Sequence, residues 1–313
     1  MPSSTSSSEA RAATRAIAIL LAAIFVYCAG LELVTGRGFS RVSRIQRRVY
    51  QDLSAAKSIA PPVPNDPPAM LVVGNSLLLD GVDRASLKKE LAPNYLVTLL
   101  PVENTQFEDW YFGLRRLFAE GSRPSIVLAC LSTRQMMSRA TDGEYFAYYL
   151  LQGRDLLAVK RESQLDNTMT SAYFFANRSA WLGSRAQIRN WLLQEIMPGL
   201  EHLIGYFPAK TPPMPPKEQV VAGVLPHLLA LDQLCKANGA RLVVLVPPTL
   251  RSDDASADVQ SAAGHEGIPV LVPLRPTDVT PDDFHDGFHL NSHGAARFTH
   301  RLASELLEKL SVN

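Results

Sequence analysis

Two short stretches hold side chains of the kind that open an ester. Near the end of the chain, "DGFHLNSHG" begins at Asp286 and sets that aspartate three residues before His289. Far upstream, the apolar run "AMLVV" ends in "GNS", which brings Ser76 behind a Gly–Asn pair. A serine hydroxyl is a weak nucleophile at neutral pH and needs a base. An imidazole, with an ordinary pKa near ~6.5, can act as that base. Asp286 can hold the other ring nitrogen of His289 and favour the imidazolium formed during attack. Ser76, His289 and Asp286 therefore have the chemistry for acyl transfer. Taken alone, Ser76 has a plainer role as a helix cap.

Beside the pair lies a decoy. Asp282 and His285 repeat the same spacing, and His285, His289 and His293 recur every four residues, as metal ligands on one helix face would. A metal face needs a continuous helix through Gly287 and Asn291, which their low helix propensity opposes. Asp286 and His289 are preferred because a capping segment follows them directly, with Asn291 as the N-cap of the last helix. No metal and no cofactor is expected.

These residues need a scaffold that brings distant segments to one edge. Apolar runs and breaker residues predict strands at "AMLVVG", "YLVTLL", "SIVLACL", "RLVVLV" and "IPVLVPL". Helices are expected between them: "GVDRASLKKEL" with Asp83 as N-cap, "FEDWYFGLRRLFAEG" ended by Gly121, a long one over Lys217 to Asn238 with Gly239 closing it, a shorter one near Asp254 to Gly264, and the last from Asn291 to Leu310. Alternating strands and helices imply an α/β fold whose parallel sheet is covered on both faces. Ligands of such sheets bind beyond the carboxyl ends of the strands. Ser76 and the Asp286–His289 pair both follow strands, so both fall at that edge. An aromatic-rich stretch, about 143–215, interrupts the alternation and is read as a helical insertion. Most of its aromatic rings are expected in the core, the rest as a lid or groove over Ser76.

The N-terminal part reads differently. Residues 1–15 are polar and repetitive, expected to be disordered. Residues 16–34 are almost uncharged and approach the ~20 residues that cross a bilayer, so an uncleaved anchor is expected, with a cleaved signal peptide as the alternative. Residues 35–68 are expected to be a basic juxtamembrane segment and the stiff linker "APPVPNDPP", with the folded domain over 69–313. Arg37, Arg41, Arg44, Arg47 and Arg48 after the span outnumber Arg11 and Arg15 before it. A plain count would keep the domain in the cytoplasm, but large domains translocate despite such a bias. An extracytoplasmic domain is the expectation. A net charge of +1 gives no reason to expect nucleic acid as a partner. Cys28, Cys130 and Cys235 lack metal-type spacing and are read as small buried hydrophobes.

"GNS" after the first strand, with "DGFHLN" before the last helix, resembles the SGNH (GDSL-type) hydrolase superfamily. The resemblance covers roughly 69–313 without the insertion. It implies a three-layer α/β/α, flavodoxin-like fold with a five-stranded parallel sheet, and cleavage or transfer of acyl esters, often acetyl groups on carbohydrate. This chain has Asn75 where the family's first block carries an aspartate. The family draws oxyanion donors from a Gly after the second strand and an Asn after the third. Here "PVENTQ" offers Asn104 instead, and "LSTRQM" puts Arg134 at the second position. The anchor and the altered middle blocks are similar to periplasmic polysaccharide O-acetyltransferases. Two functions follow: a membrane-anchored serine esterase or acyl transferase acting on an acyl ester of a carbohydrate or envelope polymer, or a non-catalytic polysaccharide-binding or assembly component.

Overall fold

The computed structural model describes residues 7–197 and 212–310. Five strands form one parallel sheet: β1 (Ala69–Gly74), β2 (Leu96–Pro101), β3 (Ile126–Cys130), β4 (Arg241–Leu245) and the two-residue β5 (Val270–Leu271). Their spatial order is β2-β1-β3-β4-β5, the flavodoxin order, whose switch point lies between β1 and β3. The strands read as nearly continuous apolar runs because both faces are covered. Leu71, Val73, Val127, Ala129, Leu242 and Val244 belong to one core, and Met70, Val72, Leu128, Cys130, Val243 and Leu245 to the other. That alternation is the period-two geometry of a strand.

The helices that matter to the site are introduced in chain order. The apolar α1 (Ser7–Val34) precedes a π-helical segment, Thr35–Phe39, and the amphipathic α2 (Arg44–Lys57). Around β1 lie α3 (Ser76–Gly81) and α4 (Arg84–Leu91), the latter capped by Asp83, whose carboxylate accepts from Ala85 N and Ser86 N. After β2 comes α5 (Phe107–Ala119), and after β3 the short α6 (Thr133–Met137). The stretch read as an insertion supplies α7 (Gly143–Tyr149), α8 (Leu156–Glu162), α9 (Asn167–Ala176) and α10 (Ala180–Ile196). Then follow α11 (Lys217–Ala237), α12 (Ser256–His265) and α13 (Ser292–Leu310). Helices α4 and α13 cover one face of the sheet; α2, α5 and α11 cover the other. α11 is long and apolar enough to cross a membrane, but it buries Val220, Val224, Leu228, Leu231 and Cys235 in the core.

Several expectations need correction. The polar tail is helical from Ser7 onward, because alanine-rich sequence after Glu9 extends the apolar helix behind it; residues 1–6 lie outside the described residues. Arg44–Lys57, read as a basic juxtamembrane segment outside the folded domain, is part of it. It buries Val49, Leu53 and Ala56 in the main core, and its arginine Arg48 pairs with Glu103 rather than lying free in solvent. Asp52 of the same helix receives two hydrogen bonds from Arg84. The folded unit therefore begins before the proline stretch. Cys28 is exposed on α1, while Cys130 and Cys235 are buried. In the insertion, Tyr145, Phe146 and Tyr173 are core, but Phe174 and Phe175 are exposed. Tyr145 and Tyr149 turn to Gln46 of α2, with hydroxyls 3.2 and 3.0 Å from its amide group, so they do not cover Ser76. Residues 198–211 of that stretch lie outside the described residues.

Candidate active site

Gly74 ends β1 in register with Pro101 of β2 and Cys130 of β3. A Cβ on Gly74 would stand 2.7 Å from the Cys130 carbonyl oxygen, so only glycine lets the chain turn here between two strands. The turn carries Asn75 into the interior, where its Oδ1 accepts from Leu77 N (3.0 Å) and its amide donates to Thr105 O (3.0 Å). Asn75 thereby caps α3 and ties the loop after β2 to the turn. Ser76 follows as the first residue of α3. At that position its own N–H has no intrahelical acceptor.

The loop after β5 meets it. Ser76 Oγ lies 2.9 Å from His289 Nε2, and His289 Nδ1 lies 2.7 Å from Asp286 Oδ2. Asp286 Oδ1 accepts the backbone N–H groups of Phe288 and His289 at 2.9 and 2.7 Å. A carboxylate can only accept, so Nδ1 carries the proton and Nε2 presents a lone pair to the serine hydroxyl. Desolvation alone would raise the Asp286 pKa. The hydrogen bonds from the His289 ring and from the two backbone N–H groups outweigh it and bring the carboxyl down to about 2. Gly287, at φ +80°, allows the tight turn on which Asp286 receives those bonds.

The loop is held at its far end as well. Asn291 Oδ1 accepts from His293 N and Gly294 N, capping α13, while its amide donates to Asp282 O. Buried Asp283 takes two hydrogen bonds from Arg297 of α13, at 2.7 and 2.8 Å. Asp283 does not stand out locally in the sequence, and the burial of Asn75, unlike its place in the turn, is visible only once its distant partner is.

The histidine ladder does not form a helix face. Phe284 and Leu290 bridge antiparallel across residues 285–289, and His293 instead faces Asp283 at 3.8 Å. Asp80, His285 and His289 do offer donor atoms within 4.8 Å of one another, yet both nitrogens of His289 are already engaged by Ser76 and Asp286. His285 stacks on His289 with ring centroids 5.6 Å apart, and Phe288 packs edge-on at 4.9 Å.

The expected oxyanion donors are not joined to the serine by hydrogen bonds. Asn104 is exposed with φ +62°, on the loop that Asn75 tethers. The guanidinium of Arg134 donates to Pro212 O at 2.6 Å. It borders a mostly apolar cleft of about 100 Å³ beside α3, lined also by Leu77, Thr133, Val246, Pro247 and Phe288.

No family model matches the chain, and no curated protein matches it. Among solved structures the chain is similar to TesA, at 15% identity over 76% of this chain and 97% of that one, with a TM-score of 0.38. It is also similar to a catalytic mutant of Axe2, an acetylxylan esterase from Geobacillus stearothermophilus, at 10% identity over 76% and 94% of the two chains, TM-score 0.37. A third is Est2A, an acetyl xylan esterase from the rumen bacterium Butyrivibrio proteoclasticus, at 11% identity over 80% and 65%, TM-score 0.38.

Proposed function

We propose that the chain is a membrane-anchored serine esterase or acyl transferase of the SGNH (GDSL) type, acting on short acyl, chiefly acetyl, esters of a carbohydrate or envelope polymer. The observation that carries this reading is the 2.9 Å contact of Ser76 Oγ with His289 Nε2, backed by Asp286 at 2.7 Å from Nδ1. In the reaction, Ser76 Oγ bonds to the acyl carbon as its proton passes to His289 Nε2. The tetrahedral centre collapses, and the leaving alkoxide takes that proton. Water or a sugar hydroxyl then gives its own proton to His289 and attacks the acyl-serine, which restores Ser76.

The oxyanion of each tetrahedral step is met by the Ser76 N–H at the positive end of α3. Asn104 is the better second donor, since Asn75 holds its loop beside the nucleophile, whereas Arg134 is engaged by Pro212. The mostly apolar cleft beside α3, lined by Leu77 and Phe288, the chain neighbours of Ser76 and His289, suits the acyl part of the ester. The open rim, with the Asp286 side chain 43% exposed, suits a polymeric acceptor. Anchoring is supported by α1 and its continuation over Ala10–Val42, long and apolar enough to cross a membrane, and by the packing of Thr35 and Phe39 just beyond α1 into the domain. We place the domain outside the cytoplasm; protease digestion of sealed right-side-out membranes tests that, and protection would overturn it.

The decisive experiment is turnover of an activated acetyl ester. Ser76→Ala should abolish it and abolish labelling by a fluorophosphonate. Wild-type turnover in that variant would end the acyl-serine reading. The engaged Arg134 favours a second reading, a non-catalytic polysaccharide-binding component; sugar binding unchanged in His289→Ala, with no ester turnover in the wild type, would support it.

A further inference from the structure

Glu32 is an anomaly in the apolar stretch of α1: a carboxylate between Leu31 and the exposed Leu33 and Val34. An ionisable group at such a place is costly unless partnered. Its partner is the N-terminus of α10. Ser179 Oγ donates to Glu32 Oε2 at 2.8 Å, Ala180 N to Oε1 at 2.6 Å, and Trp181 N to Oε2 at 3.2 Å. A helix N-terminus offers free N–H groups and partial positive charge, so it is the complement a carboxylate at a bilayer edge requires. Packing continues beyond it: a Cβ on Gly36 would stand 3.7 Å from that of Ala180, and Trp191 meets Phe39 edge-on at 6.2 Å. The α9–α10 corner is thus fastened at the depth of residue 32, near the end of the span.

Just ahead of that corner, the last turn of α9 carries Phe174 and Phe175, which are 42% and 57% exposed. Ser179 lies four positions beyond Phe175, so the Phe175 backbone is within about 14 Å of the Glu32 contact. Arg178 spreads over the Phe174 ring at 4.0 Å, an aromatic body with a cationic tip. Rings with a polar tip favour the headgroup level of a bilayer, and arginine reaches from there to phosphate or water.

We infer that the α9–α10 corner is a second membrane contact, with Phe174 and Phe175 seated in the interfacial layer of the bilayer and Arg178 at its headgroups. This rests on the reading of α1 as a span. With one span and one interfacial wedge locked together by Glu32, the domain is held in a fixed orientation on the membrane rather than swinging from a tether.

The test places a nitroxide on the full chain, in a Cys28→Ser background, reconstituted in phosphatidylcholine vesicles. The remaining cysteines, Cys130 and Cys235, are buried. Labels go at Phe175→Cys, at Val26→Cys within the span, and at Arg301→Cys on α13, which covers the opposite face of the sheet. Collision with oxygen, which partitions into lipid, is compared with collision with a water-soluble nickel chelate. Positions 26 and 175 should favour oxygen and position 301 the chelate. If 175 behaves like 301 while 26 favours oxygen, the corner is in water and the inference fails, with the span intact. If 26 also favours the chelate, the span reading fails and the inference falls with it.

Discussion

Asp286 and Asp109 both accept hydrogen bonds on both carboxylate oxygens, yet they are pushed in opposite directions. Asp286 takes two backbone N–H groups and the His289 ring, on a rim open to solvent, and its pKa falls to about 2. Asp109 takes the N–H groups of Gln106 and Asp142 at 2.7 and 2.9 Å. It is fully buried, and desolvation raises its pKa well above the ordinary carboxylate range despite those bonds. Two neighbours follow it: burial raises Asp142 to about 7, with Glu103 adding to the effect, and raises Glu108 to about 7, with Glu162 adding and Arg139 opposing. Hydrogen bonds to a carboxylate favour its charge only where solvent or a cation limits the cost of burying it. One cluster therefore suits chemistry on an imidazolium, and the other fastens the start of α5 to the start of α7.

The largest test separates these roles. Asp286→Asn should lower kcat on an activated acetyl ester by about 10⁴-fold, because an amide in place of the carboxylate favours the wrong imidazole tautomer. Melting temperature should fall only modestly, because the carboxylate's hydrogen bonds lie on a solvent-exposed rim. Asp109→Asn should do the reverse. It turns an acceptor into a donor facing a backbone N–H, which costs about 1–3 kcal/mol, read by urea denaturation, while kcat stays near wild type. A variant of Asp286 that loses stability and keeps its rate would break the comparison.

Linkage gives a finer version, because the two kinds of acid depend on pH with opposite sign. Asp286 has a depressed pKa, so its contribution is present above the unfolded value near ~3.9 and is lost as pH falls toward about 2. Glu108 has a raised pKa. Between the unfolded value near ~4.3 and about 7, the folded state holds the proton that the unfolded state has released. Stability should fall as pH rises through that window and level off above it. Denaturation from pH ~4 to ~8 should show this slope, and Glu108→Gln should reduce it, while Asp109 and Asp142, whose pKa values are also raised, keep the rest. An unchanged slope would mean that Glu108 is ionised in the fold at neutral pH.

The sequence was most readable where one residue type has one local job. Asp83 caps α4, Gly239 closes α11 with φ +76°, and the apolar runs became parallel strands. The meeting of Ser76 with His289 was inferable because both follow strands of a parallel sheet, whose carboxyl ends share one rim. What was hidden depends on partners far along the chain. Helix α2 read as a basic juxtamembrane segment because its arginines dominate its composition. Its burial shows in Arg48 with Glu103 and in Asp52 with Arg84, which no local pattern encodes. Arg134 occupied the place of a donor by spacing, but its geometry is set by the Pro212 carbonyl. Glu32 interrupts an apolar run, and its donors come from the N-terminus of α10, far along the chain.

The smallest expected effect is at Asn291, and it tests how the rim stays rigid. Its Oδ1 caps α13 and its amide holds the Asp282 carbonyl at 2.6 Å. Asn291→Ala removes both contacts and should cost about 1 kcal/mol of stability, the usual worth of such a cap. Asn291→Asp keeps an acceptor for the helix and removes only the amide donor, so it should recover most of that loss. The imidazole itself is positioned by Asp286, with Phe288 packed edge-on beside it. In both variants kcat should therefore drop by less than about tenfold, a barrier change under roughly 1.4 kcal/mol. A much larger loss of rate in Asn291→Asp, at near wild-type stability, would show that the Asp282 tether, and not the carboxylate alone, holds the histidine in reach of the serine.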